Sequence, residues 1–345
     1  MPTAMPNEPS PLRRRLALGL AGTTVLPALA ACVAPAPPRV LSVGALFAGR
    51  IDDRGFMEAG WRGLERARTE LGVATRHVAG VEPKRPLLAE ALAGLAASGV
   101  DLVLAHGGQN NEACAEVAAR TPGTRFVVVQ GAVTGPNLAS YEVLQEESAY
   151  LGGVLAALST RTGTVGHLSG IRVRPGLKGR AAFAAGVAAT DPKVRVLTTF
   201  CGNQDDAALA RRVALAQMAA GADIVFTMLN AGRGGVTEAC RERGTRQIGN
   251  VVDWVRTDPQ VYLASAIADV SITVFQAIRD GRDGAFPAGA IRRVGLADPQ
   301  AVRLSMAAEV PDAVRARVQR AAADIEAGRI RVPEAYEGPE FPIPA

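Results

Sequence analysis

From Val40 onward, short β-branched or Leu-rich runs alternate with Ala-rich stretches of helical pattern. The strand candidates are Val40 to Phe47, Ala74 to Val78, Leu102 to His106, Phe126 to Gln130, Val165 to Leu168, Val194 to Phe200, Ile224 to Met228 and Gln247 to Gly249. Helices are expected between them, near 58–71, 86–98, 111–120, 146–160, 177–189, 205–220 and 233–243. Such alternation predicts an α/β protein with parallel sheets covered by helices on both faces.

The first forty residues follow another pattern. Arg13, Arg14 and Arg15 precede an uncharged run from Leu16 to Ala31, which ends in Leu29-Ala30-Ala31-Cys32. A basic flank, an apolar run and small residues before a cysteine read as a secretory signal over 1–31. The run is short of the roughly 20 residues needed to span a bilayer. Leu-Ala-Ala-Cys resembles a bacterial lipobox, which implies cleavage before Cys32 and lipidation of its thiol, with two or more acyl chains anchoring the protein. An uncleaved helix or a non-lipidated signal are the alternatives, and the arginine run also suits a twin-arginine route. Residues 32–38 contain Pro35, Pro37 and Pro38 and read as an extended tether.

The remaining chain, about 310 residues, exceeds the usual size of a single core, so two domains are expected. Residues 1–31 carry Arg13, Arg14, Arg15 and Glu8, and without them the net charge falls from +5 to +3. Lysine occurs only at Lys84, Lys178 and Lys193, and no basic stripe is interleaved with aromatics, so nucleic acid is not an expected partner. Cys114, Cys201 and Cys240 remain once Cys32 is assigned to the anchor. An odd set without a C-x-x-C pair argues against a zinc site or a disulfide framework, and one disulfide stays open.

Ligands of doubly wound sheets bind beyond the carboxyl ends of the strands. Here those segments are glycine-rich or polar: 48–56, 106–110, Gln130-Gly131, 169–175, 201–206, 230–235 and 250–254. Gly and Asn also end strands for reasons of turn geometry alone. Seven such loops facing one cleft make the binding reading the stronger.

At Gly49-Arg50-Ile51-Asp52-Asp53-Arg54-Gly55-Phe56 the chain resembles the basic membrane protein (BMP) family, which includes purine-nucleoside-binding lipoproteins of ABC importers. The resemblance recurs in order at 81–86, 105–107, 136–140, Asp205-Asp206 and, most specifically, from Gln145 to Ala157. It implies a type I periplasmic-binding-protein fold, with two doubly wound parallel-sheet lobes joined by three crossings near residues 142, 265 and 299. The lobes are expected at 39–142 plus 266–298 and at 143–265 plus 299–330, with a tail over 331–345. The resemblance further implies a monomer anchored by lipid on the periplasmic side of a bacterial membrane. Its partners are a small ligand and an ABC permease, and no cofactor or metal is expected. A sensor for a membrane receptor would share the same fold.

Several positions depart from the nucleoside-binding pattern. Phe56 is kept and can stack on a planar heterocycle. Met57 replaces an asparagine, Gln130 an aspartate, Gln204 an aromatic, Val251 the first of two aspartates and Ala268 a lysine, while Asp253 is retained and Trp254 is an added aromatic. Retained aromatics with lost charges favour a flat, largely neutral ligand, a purine base or nucleoside-like heterocycle, with Gln130, Gln204 and Asn230 as hydrogen-bonding amides. The candidate ligand residues are therefore Asp53, Phe56, Met57, His106, Gly107, Gln130, Gln204, Asn230, Gly232, Asp253 and Trp254. Phe56 and Trp254 are expected to approach a ring from different lobes, and Asp52 and Asp53 to cap the following helix or fix its loop.

The competing enzyme reading pairs Cys201 with His106 or His167 as base, but no oriented triad, P-loop or H-E-x-x-H motif accompanies them. Arg172 and Arg174 near Gly170 are a candidate phosphate pair, weighed against arginines that merely face solvent.

Overall fold

The computed structural model describes residues 40–343. In the first half of the chain, β1 (Ser42–Phe47), β2 (Ala74–Val78), β3 (Leu102–His106), β4 (Arg125–Val129) and β5 (Leu138–Val143) alternate with α1 (Phe56–Leu71), α2 (Arg85–Ala97) and α3 (Asn111–Arg120). The pattern then repeats. Strands β6 (Thr164–Ser169), β7 (Arg195–Phe200), β8 (Ile224–Met228), β9 (Arg246–Val251) and β10 (Tyr262–Ala268) alternate with α4 (Gln145–Ser159), α5 (Arg174–Thr190), α6 (Ala207–Ala219) and α7 (Arg233–Arg243). Helix α8 (Val270–Arg282), β11 (Ile291–Val294), β12 (Val302–Met306) and α9 (Asp312–Glu326) complete the order.

The strands form two six-stranded sheets of matching order, β2-β1-β3-β4-β5-β11 and β7-β6-β8-β9-β10-β12. Every pairing is parallel except the antiparallel β10–β12 pair at the edge of the second sheet. Two doubly wound sheets with helices on their faces are the expected fold class, here observed. The chain leaves the first sheet after β5, returns to it with α8, which packs on α1, and leaves it again between β11 and β12.

Both faces of each sheet are covered, so central strands such as β3 (LVLAH) and β8 (IVFTM) are buried along their whole length. Small residues let helices approach closely. A Cβ at Gly153 of α4 would lie 2.2 Å from the Phe183 carbonyl oxygen of α5, and one at Gly186 of α5 would lie 2.2 Å from that of Tyr150. Backbone thus meets backbone along α4 and α5.

Helix starts are set by local chemistry. The Asp53 carboxylate accepts the backbone N–H groups of Gly55, Met57 and Glu58 at 2.8, 3.0 and 3.1 Å, satisfying donors that α1 leaves free at its first turn. Asp206 and Asp269 cap α6 and α8 in the same way. Pro175 sits in the first turn of α5, where a missing N–H costs no hydrogen bond.

Candidate functional site

The carboxyl ends of both sheets open onto one cavity of about 520 Å³. Six of the seven strand-end segments contribute lining residues, and Gly80–Pro83 and Gln145 add to the wall. Half-buried Phe56 is its aromatic element. The ring stacks on His106, with centroids 4.2 Å apart and planes at 25°. His106 Nε2 donates to the Phe56 carbonyl at 2.9 Å, and burial drives the imidazole pKa down to about 4, so it is neutral at pH 7. Gly60 leaves room for this stack, since a Cβ there would lie 2.4 Å from the imidazole. Met57, Ile171, Val173, Pro175, Met228 and Val251 supply apolar surface.

The polar lining is dominated by carboxamides: Gln109, Gln145, Asn203, Gln204, Asn230 and Asn250. Three of these hold a buried atom without a protein partner, namely Gln145 Nε2, Gln204 Oε1 and Asn250 Oδ1. Buried polar atoms are nearly always paired, and three unpaired ones belong to side chains that line this one cavity. Charge is confined to Arg50, Glu82 and Asp205, and Arg50 is turned onto Asp52.

A family model described as "ABC transporter substrate-binding protein PnrA-like" (Bmp) matches residues 40–333. The chain belongs to the Bmp family. Relatives include the CD4+ T-cell-stimulating antigen of Listeria monocytogenes, 26% identical over 312 residues, covering 83% of this chain and 86% of that protein. The ABC transporter nucleoside-binding protein BmpA of Lactococcus lactis is 26% identical over 310 residues, covering 83% and 87%. Among solved structures, an ABC transporter solute-binding protein from Aeropyrum pernix K1 superposes with a TM-score of 0.76 at 23% identity, covering 85% of this chain and 94% of that one. This Bmp chain is accordingly an ABC transporter substrate-binding protein, and its family is one of solute binders.

Among the residues singled out from the Bmp chain's sequence, Phe56, Met57, Gln204 and Asn230 line the cavity. Others stand behind it. His106 is fully buried beneath Phe56, and Asp53 is the α1 cap, its carboxyl raised by burial against the opposing pull of three backbone N–H groups. Gly107, at φ 107°, makes the turn that delivers Gly108 to the lining. Gly232 donates its N–H to the Gln204 carbonyl at 3.1 Å, where a Cβ would come within 2.8 Å of that oxygen, so it sets Gln204 in place.

Three expectations are corrected. Gln130 does not reach the cavity, because its amide is spent on the Val143 backbone, donating to the carbonyl at 3.1 Å and accepting the N–H at 2.6 Å. Trp254 does not face Phe56. Its ring stacks on Tyr262 and carries the Arg233 guanidinium 3.5 Å from its centroid, and its Nε1–H donates to the Asn250 carbonyl at 2.9 Å. The indole therefore backs a lining residue without lining the site. Asp253 accepts the Ser305 hydroxyl at 3.0 Å and borders a separate cavity of about 490 Å³ with Trp254, Arg54 and Arg62.

Arg172 and Arg174 are also placed otherwise than as a phosphate pair. Arg172 pairs with Glu340, and Arg174 pairs with Glu142 and Glu334. The proposed nucleophile Cys201 has its thiol pKa raised by burial and donates to the Asn203 carbonyl. His167 is bonded to Thr198 and Ser169, with its pKa lowered by burial to about 3. Neither histidine is a hydrogen-bond partner of Cys201. The three cysteines are buried and free, and among the described residues no His/Cys/Asp/Glu cluster is arranged for a metal. Among those residues, no helix is long and apolar enough to cross a membrane, and Cys32 with the signal and tether lies outside them.

Sequence reasoning missed Arg233, which is buried at the start of α7. It donates to Leu229 O at 3.2 Å and, between segments that follow the two sheets, to Arg54 O at 3.0 Å. Burial lowers its pKa to about 10. It also missed a buried cluster beside the cavity, where Lys178 pairs with Glu142 and Glu146. A basic residue four positions from Arg174 in the first turns of α5 was the available signal.

Proposed function

We propose that this chain is an extracytoplasmic lipoprotein, anchored through Cys32, that captures a flat and largely neutral heterocycle and delivers it to an ABC importer. A purine base or nucleoside-like compound is the ligand class that suits the cavity. The carrying observation is the set of three unpartnered carboxamides, Gln145, Gln204 and Asn250, around a cavity whose aromatic wall is Phe56. A carboxamide both donates and accepts, which matches the mixed edge of a base, and the Phe56 ring offers stacking worth about 1 kcal/mol beyond its area. The cavity volume falls in the usual range for small-ligand sites, roughly 300–1,000 Å³. A nucleoside-binding relative, BmpA of Lactococcus lactis, supports the same class.

Mass spectrometry of the small molecule that co-purifies with the protein, followed by calorimetry with hypoxanthine, adenine, inosine and uridine, tests this reading. A purine is expected in the first experiment and unmodified purine after incubation in the second. Recovery of a sugar or an amino acid with no purine binding would overturn it. For the anchor, a fatty-acid analogue should label the wild type and miss Cys32→Ala, and equal labelling of both would remove the lipid from the proposal.

A further inference from the structure

The segment Ile171–Gly176 runs along the cavity with alternating faces. Ile171, Val173 and Pro175 line the cavity, while Arg172 and Arg174 reach a stretch of chain beyond α9. That stretch is tied down in several places. Glu340 pairs with Arg172 and Arg180, and Glu334 pairs with Arg174 at 3.4 Å and Lys178 at 3.1 Å. Phe341 N–H donates to Thr198 O at 2.7 Å, and Thr199 Oγ1 donates to Phe341 O at 3.0 Å, so the stretch also holds the edge strand β7. Arg180 stacks between Phe200 and Tyr336, 4.9 and 4.8 Å from their centroids. The Glu340 carboxyl is held below its ordinary value, chiefly by its hydrogen bond from Arg172. The family match ends at residue 333, one residue before the first of these contacts.

The geometry points to residues 334–341 as a strap that positions the binding loop: Glu334 and Glu340 grip the outward arginines and thereby hold Ile171, Val173 and Pro175 against the ligand. This rests on the reading of the cavity as the solute site. Glu334 and Glu340 are positioning residues and touch no ligand. Their side chains are 55% and 34% exposed, so salt weakens the grip. Arg174 and Lys178 keep Glu142 when Glu334 is neutralised, so the fold survives the change.

The test compares full-length wild type with Glu334→Gln/Glu340→Gln, using inosine as the probe. Amide hydrogen exchange over residues 171–177 without ligand should speed up in the variant, with β3 and β8 unchanged. A binding-competent loop populated one-fifth of the time raises Kd about fivefold, which is the expected loss for inosine. Inosine is uncharged, so salt dependence of its affinity reports on the protein. Wild-type affinity should decline as salt rises from about 0.05 to 0.5 M while the variant stays flat, and Glu334→Asp/Glu340→Asp should restore part of the wild-type behaviour. Unchanged exchange over 171–177 overturns the strap, as does faster exchange with unchanged affinity. Should wild type itself not bind inosine, the purine reading fails, and exchange alone then decides the strap.

Discussion

Replacing Lys178 with Met removes the cation paired with Glu146 among the described residues. Lys178 and Glu146 are 3% and 5% exposed, so the remaining carboxylate cannot be rescued by solvent without rearrangement. Breaking a buried pair from one side costs about 3–5 kcal/mol. The lower end applies, because Glu142 keeps Arg174 and Arg293 and because Glu146 can take up a proton. At roughly 2 °C per kcal/mol for a chain of this size, Tm should fall by about 6 °C near pH 7. The loss carries a pH signature. Burial already holds the Glu146 carboxyl above 4.5 against the attraction of Lys178, and deleting that attraction moves it further up. Between 4.5 and this raised value the folded state binds a proton that the unfolded state has released, so stability falls as pH rises through the window. Glu142 contributes with opposite sign. Burial pushes it up but Lys178 and Arg174 outweigh burial, and its stabilisation is present above 4.5 and lost as pH falls through its depressed value. Thermal melts at about pH 5 and 7.5 should therefore show the variant's deficit growing with pH, and Lys178→Met/Glu146→Gln should recover most of it. A Tm within about 1 °C of wild type at the higher pH, or a double variant no better than the single, would refute the argument.

Gln145→Ala and Asn250→Ala should each weaken purine binding by about 1 kcal/mol, roughly fivefold by calorimetry, whereas Gln130→Ala should lower Tm and leave affinity near wild type. Phe56→Ala should cost at least about tenfold in affinity and Trp254→Phe less than about threefold, since only Phe56 lines the cavity; the reverse order would move the ligand to the neighbouring cavity beside Asp253. Native protein should react slowly with a thiol reagent and fully once denatured, because burial shields all three described cysteines and pushes Cys114 up to about 12 and Cys240 to about 11. Rapid native labelling of Cys114 would contradict its placement.

The strands legible in the sequence are chiefly those with continuous apolar runs, such as β1, β3, β4 and β8, which leave little choice of element. Strands β5, LASYEV, and β10, YLASAIA, escaped because their alanines and serines carry no β signature, and β11 and β12, IRRV and VRLSM, are short edge strands, each interrupted by arginine. The location of the cavity at the strand ends was legible for topological reasons. Which residue of a loop faces inward was not. Gln130 adopts a left-handed φ of 58° that turns its amide onto Val143, and Trp254 is drawn back by Arg233, twenty-one positions earlier in the chain. Gln145 lay in the stretch of strongest resemblance, yet its role depends on the absence of a partner, which only three dimensions reveal.

The matching order of the two sheets conceals a dependence of each on the other. The first sheet receives its last strand, β11, only from residues 291–294, and the second receives β12 from 302–306, so the last strand of each follows the parallel strands of the other in the chain. A chain that emerges from its N-terminus can form β1 to β5 early, yet β5 keeps an open edge until some 150 residues later. Neither sheet is therefore whole until the other is nearly so, which ties the two into one folding unit despite their separate cores of strands.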